Sequence, residues 1–128
     1  MKKRHSHKNR KSKHTGYHCQ GRIWIENNGE TFLGFGRVVL LEKIHALGSI
    51  SQAARSMEMS YKHAWDLIRS MNQQSKEPLV LTVKGGKGGG GATITEAGIL
   101  AINQFRILQE RLQIFLKQQS KELTLGLK

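Results

Sequence analysis

Ser49 to Gln74 reads SISQAARSMEMSYKHAWDLIRSMNQQ, and this stretch decides the fold. Ser49-Ile50-Ser51 offers N-cap residues, because a serine hydroxyl accepts from the unpaired N–H groups that open a helix. A short helix over Gln52–Met57 is expected to follow. Ala53-Ala54 near its start lets a neighbouring helix come close. Glu58-Met59-Ser60 makes a turn, and Ser60 is the expected cap of a second helix running to about Gln74. In that second helix Ala64, Leu67, Ile68 and Met71 form an inward stripe, whereas Lys62, His63, Asp66, Arg69, Ser70 and Gln73 lie mostly outward. Two helices at this separation suit a helix-turn-helix corner.

The flanks extend the pattern. Upstream, Arg37 to Leu47 carries apolar residues at 39, 40, 41, 44 and 47, a helical stripe, with Gly48 where a C-cap glycine belongs. Before it, Arg22-Ile23-Trp24-Ile25-Glu26 alternates polar and apolar, and Asn27-Asn28-Gly29 separates it from Glu30-Thr31-Phe32-Leu33. An Asn-Gly pair between two such runs signals a hairpin, and Gly34 and Gly36 then break the pattern. Downstream, Pro78 stops the second helix and opens an extended run over 79–83. Lys84 to Gly91 (KGGKGGGG) connects this run to a second strand at 92–95. Thr95, Ala97 and Gly98 start a long helix to about Gln119, with Ile99, Ile102, Leu108, Leu112, Phe115 and Leu116 on or near one face. The expected fold is mainly α with small β-hairpins, a winged helix-turn-helix with a long C-terminal helix.

The glycine run formally contains GxGxxG at Gly86, Gly88 and Gly91. A dinucleotide site needs a helix directly after the glycines, but Ala92-Thr93-Ile94-Thr95 is strand-like. A P-loop needs Gly-Lys followed by Ser or Thr, and both Lys84 and Lys87 precede Gly. What survives is a wing whose Lys84 and Lys87 touch phosphate or the minor groove.

The chain has 128 residues, 21 Lys+Arg against 9 Asp+Glu, and a net charge of +12 with His neutral. Residues 1–20 hold seven of those basic residues and no acid, so the tail contributes +7 and residues 21–128 contribute +5. Such asymmetry points to nucleic acid or an anionic surface as partner. The expected organisation is a disordered basic His-rich tail over 1–20, the winged domain over 21–119 and a short C-terminal tail over 120–128. A single cysteine, Cys19, excludes an intrachain disulfide. With no signal-peptide core and no apolar run near ~18 residues, a cytoplasmic protein without a membrane partner is expected.

His5, His7, His14, His18 and Cys19 invite a metal reading, but no finger spacing occurs among them. The tail reads instead as a polybasic arm that strengthens DNA association without sequence preference. His45 and His63 lack a Ser, Cys or carboxylate relay by sequence pattern. Neither catalytic residues, a metal site nor a cofactor is expected, and the chain is not expected to be an enzyme.

The N-terminal part of the second helix in a helix-turn-helix enters the major groove. Ser60, Tyr61, Lys62 and His63 are therefore the candidates for base or nearby phosphate contact, with Arg69 further along. Ser49, Ser51 and Gln52 open the preceding helix, where unpaired N–H groups and the helix dipole suit a phosphate. Trp65 reads as a core anchor rather than a base contact. The C-terminal helix, apolar through Leu108, Leu112, Ile114, Phe115 and Leu116, has more apolar surface than one small domain covers, so a homodimer on double-stranded DNA is expected.

Gly48-Ser49-Ile50-Ser51-Gln52-Ala53-Ala54, Met59-Ser60-Tyr61-Lys62-His63-Ala64-Trp65, Met71-Asn72 and Gly85-Gly86-Lys87-Gly88-Gly89-Gly90-Gly91-Ala92 together resemble the DNA-binding domain of the ModE family. These are molybdate-responsive bacterial transcription regulators with a winged helix related to the LysR type. The resemblance covers roughly residues 21–119 and implies DNA binding, a winged helix and a dimer that uses terminal helices. ModE proper continues into molybdate-binding domains, whereas this sequence ends at Lys128. The expectation is a sequence-specific regulator of the ModE type without its own molybdate-sensing domain. The rival is a metal- or oxyanion-responsive DNA-binding switch that uses the His/Cys tail or the dimer cleft. No small-molecule effector is assigned by the residues.

Overall fold

Asn28 and Gly29 take φ of 53° and 82°, the two left-handed positions of a tight hairpin turn, which these residue types tolerate. They join β1 (Ile25–Asn27) to β2 (Glu30–Leu33) in an antiparallel pair. Asn27 pairs with Glu30 and Glu26 with Thr31, after which the register slips and Ile25 lies opposite Leu33. The first strand is shorter than its alternating sequence suggests. The computed structural model describes residues 16–83 and 91–123.

α1 (Phe35–Leu47) starts two residues earlier than expected. Gly34 is extended there and acts as the N-cap, its carbonyl accepting from Val38 N–H at 3.0 Å, so Gly36 falls in the first turn rather than ahead of the helix. The buried stripe is Val38, Leu40, Leu41 and Ile44, while Leu47 is exposed. Gly48 then adopts φ 68° and returns its N–H to Ile44 O at 2.8 Å. α2 (Ile50–Ser56) likewise begins earlier than expected, directly after its Ser49 cap. α3 (Tyr61–Gln74) begins after Ser60, as the sequence predicts.

Two short strands, β3 (Val80–Val83) and β4 (Gly91–Ile94), pair antiparallel from Val80↔Ile94 to Val83↔Gly91. They are the base of the wing, and the connecting residues 84–90 lie outside the described residues. α4 (Glu96–Glu122) closes the order. Thr95 caps it: its Oγ1 accepts from Gly98 N–H at 3.0 Å and donates to Pro78 O at 2.7 Å.

By its contacts the chain divides into a larger unit, Arg22–Glu110, and a smaller one, Met1–Gly21 with Arg111–Lys128. The sequence reading runs a single domain from 21 to 119, with α4 stopping three residues short of its end at Glu122. In the larger unit Ala53, Ala54, Ala64, Ile68, Met71, Leu79, Val80, Ile102 and Phe105 complete the core around the α1 stripe. Burying each large side chain stabilises the fold by about 1.5–3 kcal/mol. Ala53 and Ala54 are the close-approach surface expected of them, with α2 packed against both α1 and α3. Arg106 on α4 grips Glu42 on α1 at 2.9 and 2.6 Å.

In the smaller unit Cys19 N–H donates to Ser120 Oγ at 2.7 Å, and Ser120 Oγ donates to Leu116 O at 2.8 Å. Residues 16–20 of the expected disordered tail are thus described, and Cys19 is half-buried. A hydrogen bond to α4 holds what composition alone leaves unstructured. His5, His7 and His14 lie outside the described residues.

Candidate nucleic-acid interface

Ser60 accepts from His63 N–H at 3.0 Å, and Ser49 accepts from Gln52 N–H at 3.1 Å. Each hydroxyl spends an acceptor on its cap and keeps its own O–H as a donor. Both helix starts therefore retain a donor that suits a phosphate oxygen. The turn between the helices is built by the end of α2. Met59 N–H returns to Ala54 O at 3.0 Å and Glu58 N–H to Arg55 O at 3.1 Å, with Glu58 at φ 58°. This is the Schellman pattern with a glutamate where glycine is usual.

Ala64, Ile68 and Met71 pin one face of α3 into the core, which leaves Tyr61, Lys62, His63, Asp66 and Arg69 exposed on the other. A cleft of about 380 Å³ runs along that face, lined by Tyr61, Lys62, Trp65, Asp66 and Arg69. A second, of about 350 Å³, lies between α2 and the start of α3, lined by Ser51, Ala54, Arg55, Met59 and Tyr61. The structure thus gathers Tyr61, Lys62 and Arg69 on one surface and sets Ser51 beside Tyr61. Ser70 departs from the outward expectation: it is half-buried, and its Oγ accepts from Arg37 Nη1 at 3.0 Å and Gln74 Nε2 at 3.1 Å. Arg37 Nη1 and Gln74 Nε2 also converge on Thr31 O, at 2.9 and 2.7 Å, and so tie the first hairpin to α1 and α3.

Trp65 is the core anchor expected of it only in part, because one side of the ring stays at the surface. It packs against the core from a half-buried position, meets the Tyr61 ring edge-on at 6.3 Å, and lies under the Arg69 guanidinium at 5.9 Å. Aromatic and cationic groups in this order present flat apolar area and fixed positive charge side by side.

Electrostatics on the face centre on Asp66. Its carboxylate accepts from Lys62 Nζ at 2.9 Å and Arg69 Nη1 at 3.4 Å. The Lys62 hydrogen bond, with the charges of Lys62, Arg69 and His63 behind it, holds the Asp66 carboxyl below its usual range.

The wing base is hydrogen-bonded both to α3 and to the α1–α2 junction. Asn72 of α3 takes Leu79 N–H at 2.8 Å on its Oδ1, and Ala92 N–H of β4 donates to Gly48 O at 3.0 Å, at the junction of α1 and α2. Lys84 and Lys87, the wing cations named from sequence, lie outside the described residues. Sequence reasoning missed Arg55 and the structural role of Asn72. Arg55 shows only as one basic residue among many, and the partner of Asn72 lies across a helix end. No group of three or more His, Cys, Asp or Glu suited to a metal occurs among the described residues, His18 and Cys19 included. Among the described residues no helix is long and apolar enough to cross a membrane.

Residues 35–99 match the family described as bacterial regulatory helix-turn-helix protein, lysR family. Three curated relatives share the region. The molybdenum transport protein ModE of Azotobacter vinelandii is 39% identical over 102 residues, 80% of this chain and 38% of its own. Molybdenum-pterin-binding protein MopB of Rhodobacter capsulatus is 38% identical over 107 residues, 84% of this chain and 39% of its own. The DNA-binding transcriptional dual regulator ModE of Escherichia coli (strain K12) is 47% identical over 74 residues, 58% of this chain and 28% of its own. The chain therefore spans about two fifths or less of the length of these relatives.

Proposed function

The chain belongs to the bacterial regulatory helix-turn-helix proteins of the lysR family, and from that premise we propose that it is a sequence-specific DNA-binding transcription regulator of the ModE type. One observation carries the reading. α3 is anchored in the core by Ala64, Ile68 and Met71 while Tyr61, Lys62, His63 and Arg69 stand exposed on its free face. A helix held this way can lay its exposed face in a major groove, where Ser60, Tyr61, Lys62 and His63 reach base edges or nearby phosphates, with Arg69 further along the same face. Ser49, Ser51 and Gln52 at the start of α2 meet the sugar-phosphate backbone beside it. The wing lysines, Lys84 and Lys87, add phosphate contacts. The chain binds rather than catalyses, and it works in the bacterial cytoplasm, where its duplex is.

The working form is a homodimer. Leu100, Ile107 and Ile114 on α4 are 57%, 46% and 54% exposed and recur at intervals of seven, as do Leu108 and Phe115. Apolar residues at that interval on a helix form a seam for a second helix. Two copies set two α3 helices on half-sites about one turn apart. The molybdenum-linked names of the relatives belong to proteins more than twice as long. DNA binding is the step that the residues of this chain support.

Selecting bound fragments from a random duplex pool with the purified protein tests this function. A shared, two-fold related sequence is the expected product. Recovery of fragments with nothing in common would overturn sequence-specific recognition.

A further inference from the structure

Asp66 is an acid in the middle of the helix assigned to a polyanion. Its side chain is 47% exposed, and its partners among the described residues are Lys62 and Arg69. Neither contact ties α3 to another element of the fold. Aspartate is among the weaker helix formers at an interior position. In the Lys62–Asp66 pair the cation is N-terminal to the acid, the less favourable order for residues four apart on a helix. The same carboxylate repels phosphates. The two ion pairs offset part of the helix cost, but general DNA affinity counts against this residue.

Its geometry offers a use. Asp66 takes one donor from the Lys62 ammonium, which has three, and one from the Arg69 guanidinium, which has five. Arg69 is held a second time by the Trp65 ring at 5.9 Å. Both cations are therefore aimed along the exposed face of α3 with donors to spare. On a matching duplex those remaining donors meet base edges while the ion pairs stay closed. On a mismatched duplex Lys62 must leave Asp66 to reach a phosphate, and the carboxylate is left facing the backbone.

We propose that Asp66 is a specificity-determining residue that positions Lys62 and Arg69 for base contact and penalises binding to mismatched DNA. The proposal rests on α3 being the base-reading helix.

The test uses the full chain, Asp66→Asn and Asp66→Glu, each against the selected duplex and a scrambled duplex of equal composition, over a salt series. With Asp66→Asn, affinity for the scrambled duplex is expected to rise about five- to tenfold and its salt dependence to steepen by about one unit, as one more phosphate contact brings. The ratio of selected to scrambled affinity should fall at least about fivefold. Asp66→Glu keeps the charge and should keep scrambled binding weak. An unchanged ratio in Asp66→Asn, or an equal shift on both duplexes, overturns the proposal and leaves α3 as the reading helix. A wild-type protein that binds both duplexes equally overturns the assignment of α3 and this proposal with it.

Discussion

Asn72 on α3 grips Val80 on β3 from both sides, its Oδ1 accepting from Val80 N–H at 3.2 Å and its Nδ2 donating to Val80 O at 3.0 Å. The same Oδ1 takes Leu79 N–H at 2.8 Å. One amide thus sets where the wing leaves the body relative to α3. Asn72→Ala strands three backbone groups beside the buried Leu79 and Val80, at a cost of about 1–3 kcal/mol. Urea unfolding should show that loss. DNA affinity should fall by the same factor on matched and scrambled duplexes, because a misplaced wing loses phosphates rather than bases. A loss confined to the matched duplex would mean that Asn72 positions α3 itself.

Glu58 occupies the left-handed position that ends α2, at φ 58°. A side chain there costs about 1–2 kcal/mol, and glycine avoids it at an unfolded-state penalty of about 0.5–1 kcal/mol. Glu58→Gly is expected to stabilise the protein by about 0.5–1 kcal/mol, seen as a raised urea midpoint with an unchanged slope. A lowered midpoint would show that the glutamate side chain makes a contact that outweighs the strain.

Gly98 lies in the first turn of α4 where a Cβ would stand 2.5 Å from Leu79 O and 2.5 Å from Ile94 Cγ2. The carbonyl belongs to the segment Asn72 holds, so it has little room to retreat. Gly98→Ala gains helix propensity of about 1 kcal/mol but overpacks the junction by about 1–3 kcal/mol or more. Net destabilisation is expected in thermal unfolding. A more stable variant would mean that α4 can lift from the wing base.

The helix-turn-helix is legible in the sequence because its signals are local. Ser60 caps a helix three residues from the N–H it accepts, and Asn28-Gly29 makes its turn from two adjacent residues. The start of α1 is not, because Gly34 caps through its backbone alone, a role that leaves no side-chain signature. Val38 rather than Leu47 enters the core because the stripe that packs depends on how α1 meets α2 and β4, which one helix's spacing does not state. The candidate interface is half legible. Tyr61 to His63 follow from their place on a helix, whereas Asp66 and Asn72 matter through partners that only the folded chain supplies.

Lys62 and His63 occupy the first turn of α3, the part proposed to enter the groove first. Replacing each by Ala should cost about 1–3 kcal/mol of discrimination at particular base pairs, read from binding to single-position variants of the selected site. Lys62→Ala also releases Asp66 from its nearest cation, so its penalty should grow on scrambled duplexes, unlike that of His63→Ala. Equal losses on every sequence would place both side chains on phosphates.

In the wing, Lys84 and Lys87 stand with five glycines between β3 and β4. Glycine gives no base-reading side chain, so the two ammonium groups are the only groups there that can add charge contacts to phosphate. Charge contacts release counterions, and the number released appears in the slope of log affinity against log salt. Replacing both lysines by Ala should weaken binding to all duplexes and flatten that slope by roughly one or two units. The ratio of matched to scrambled affinity should hold if, as proposed, the base contacts sit on α3. A changed ratio would move sequence reading into the wing, and an unchanged slope would remove the wing from the DNA altogether.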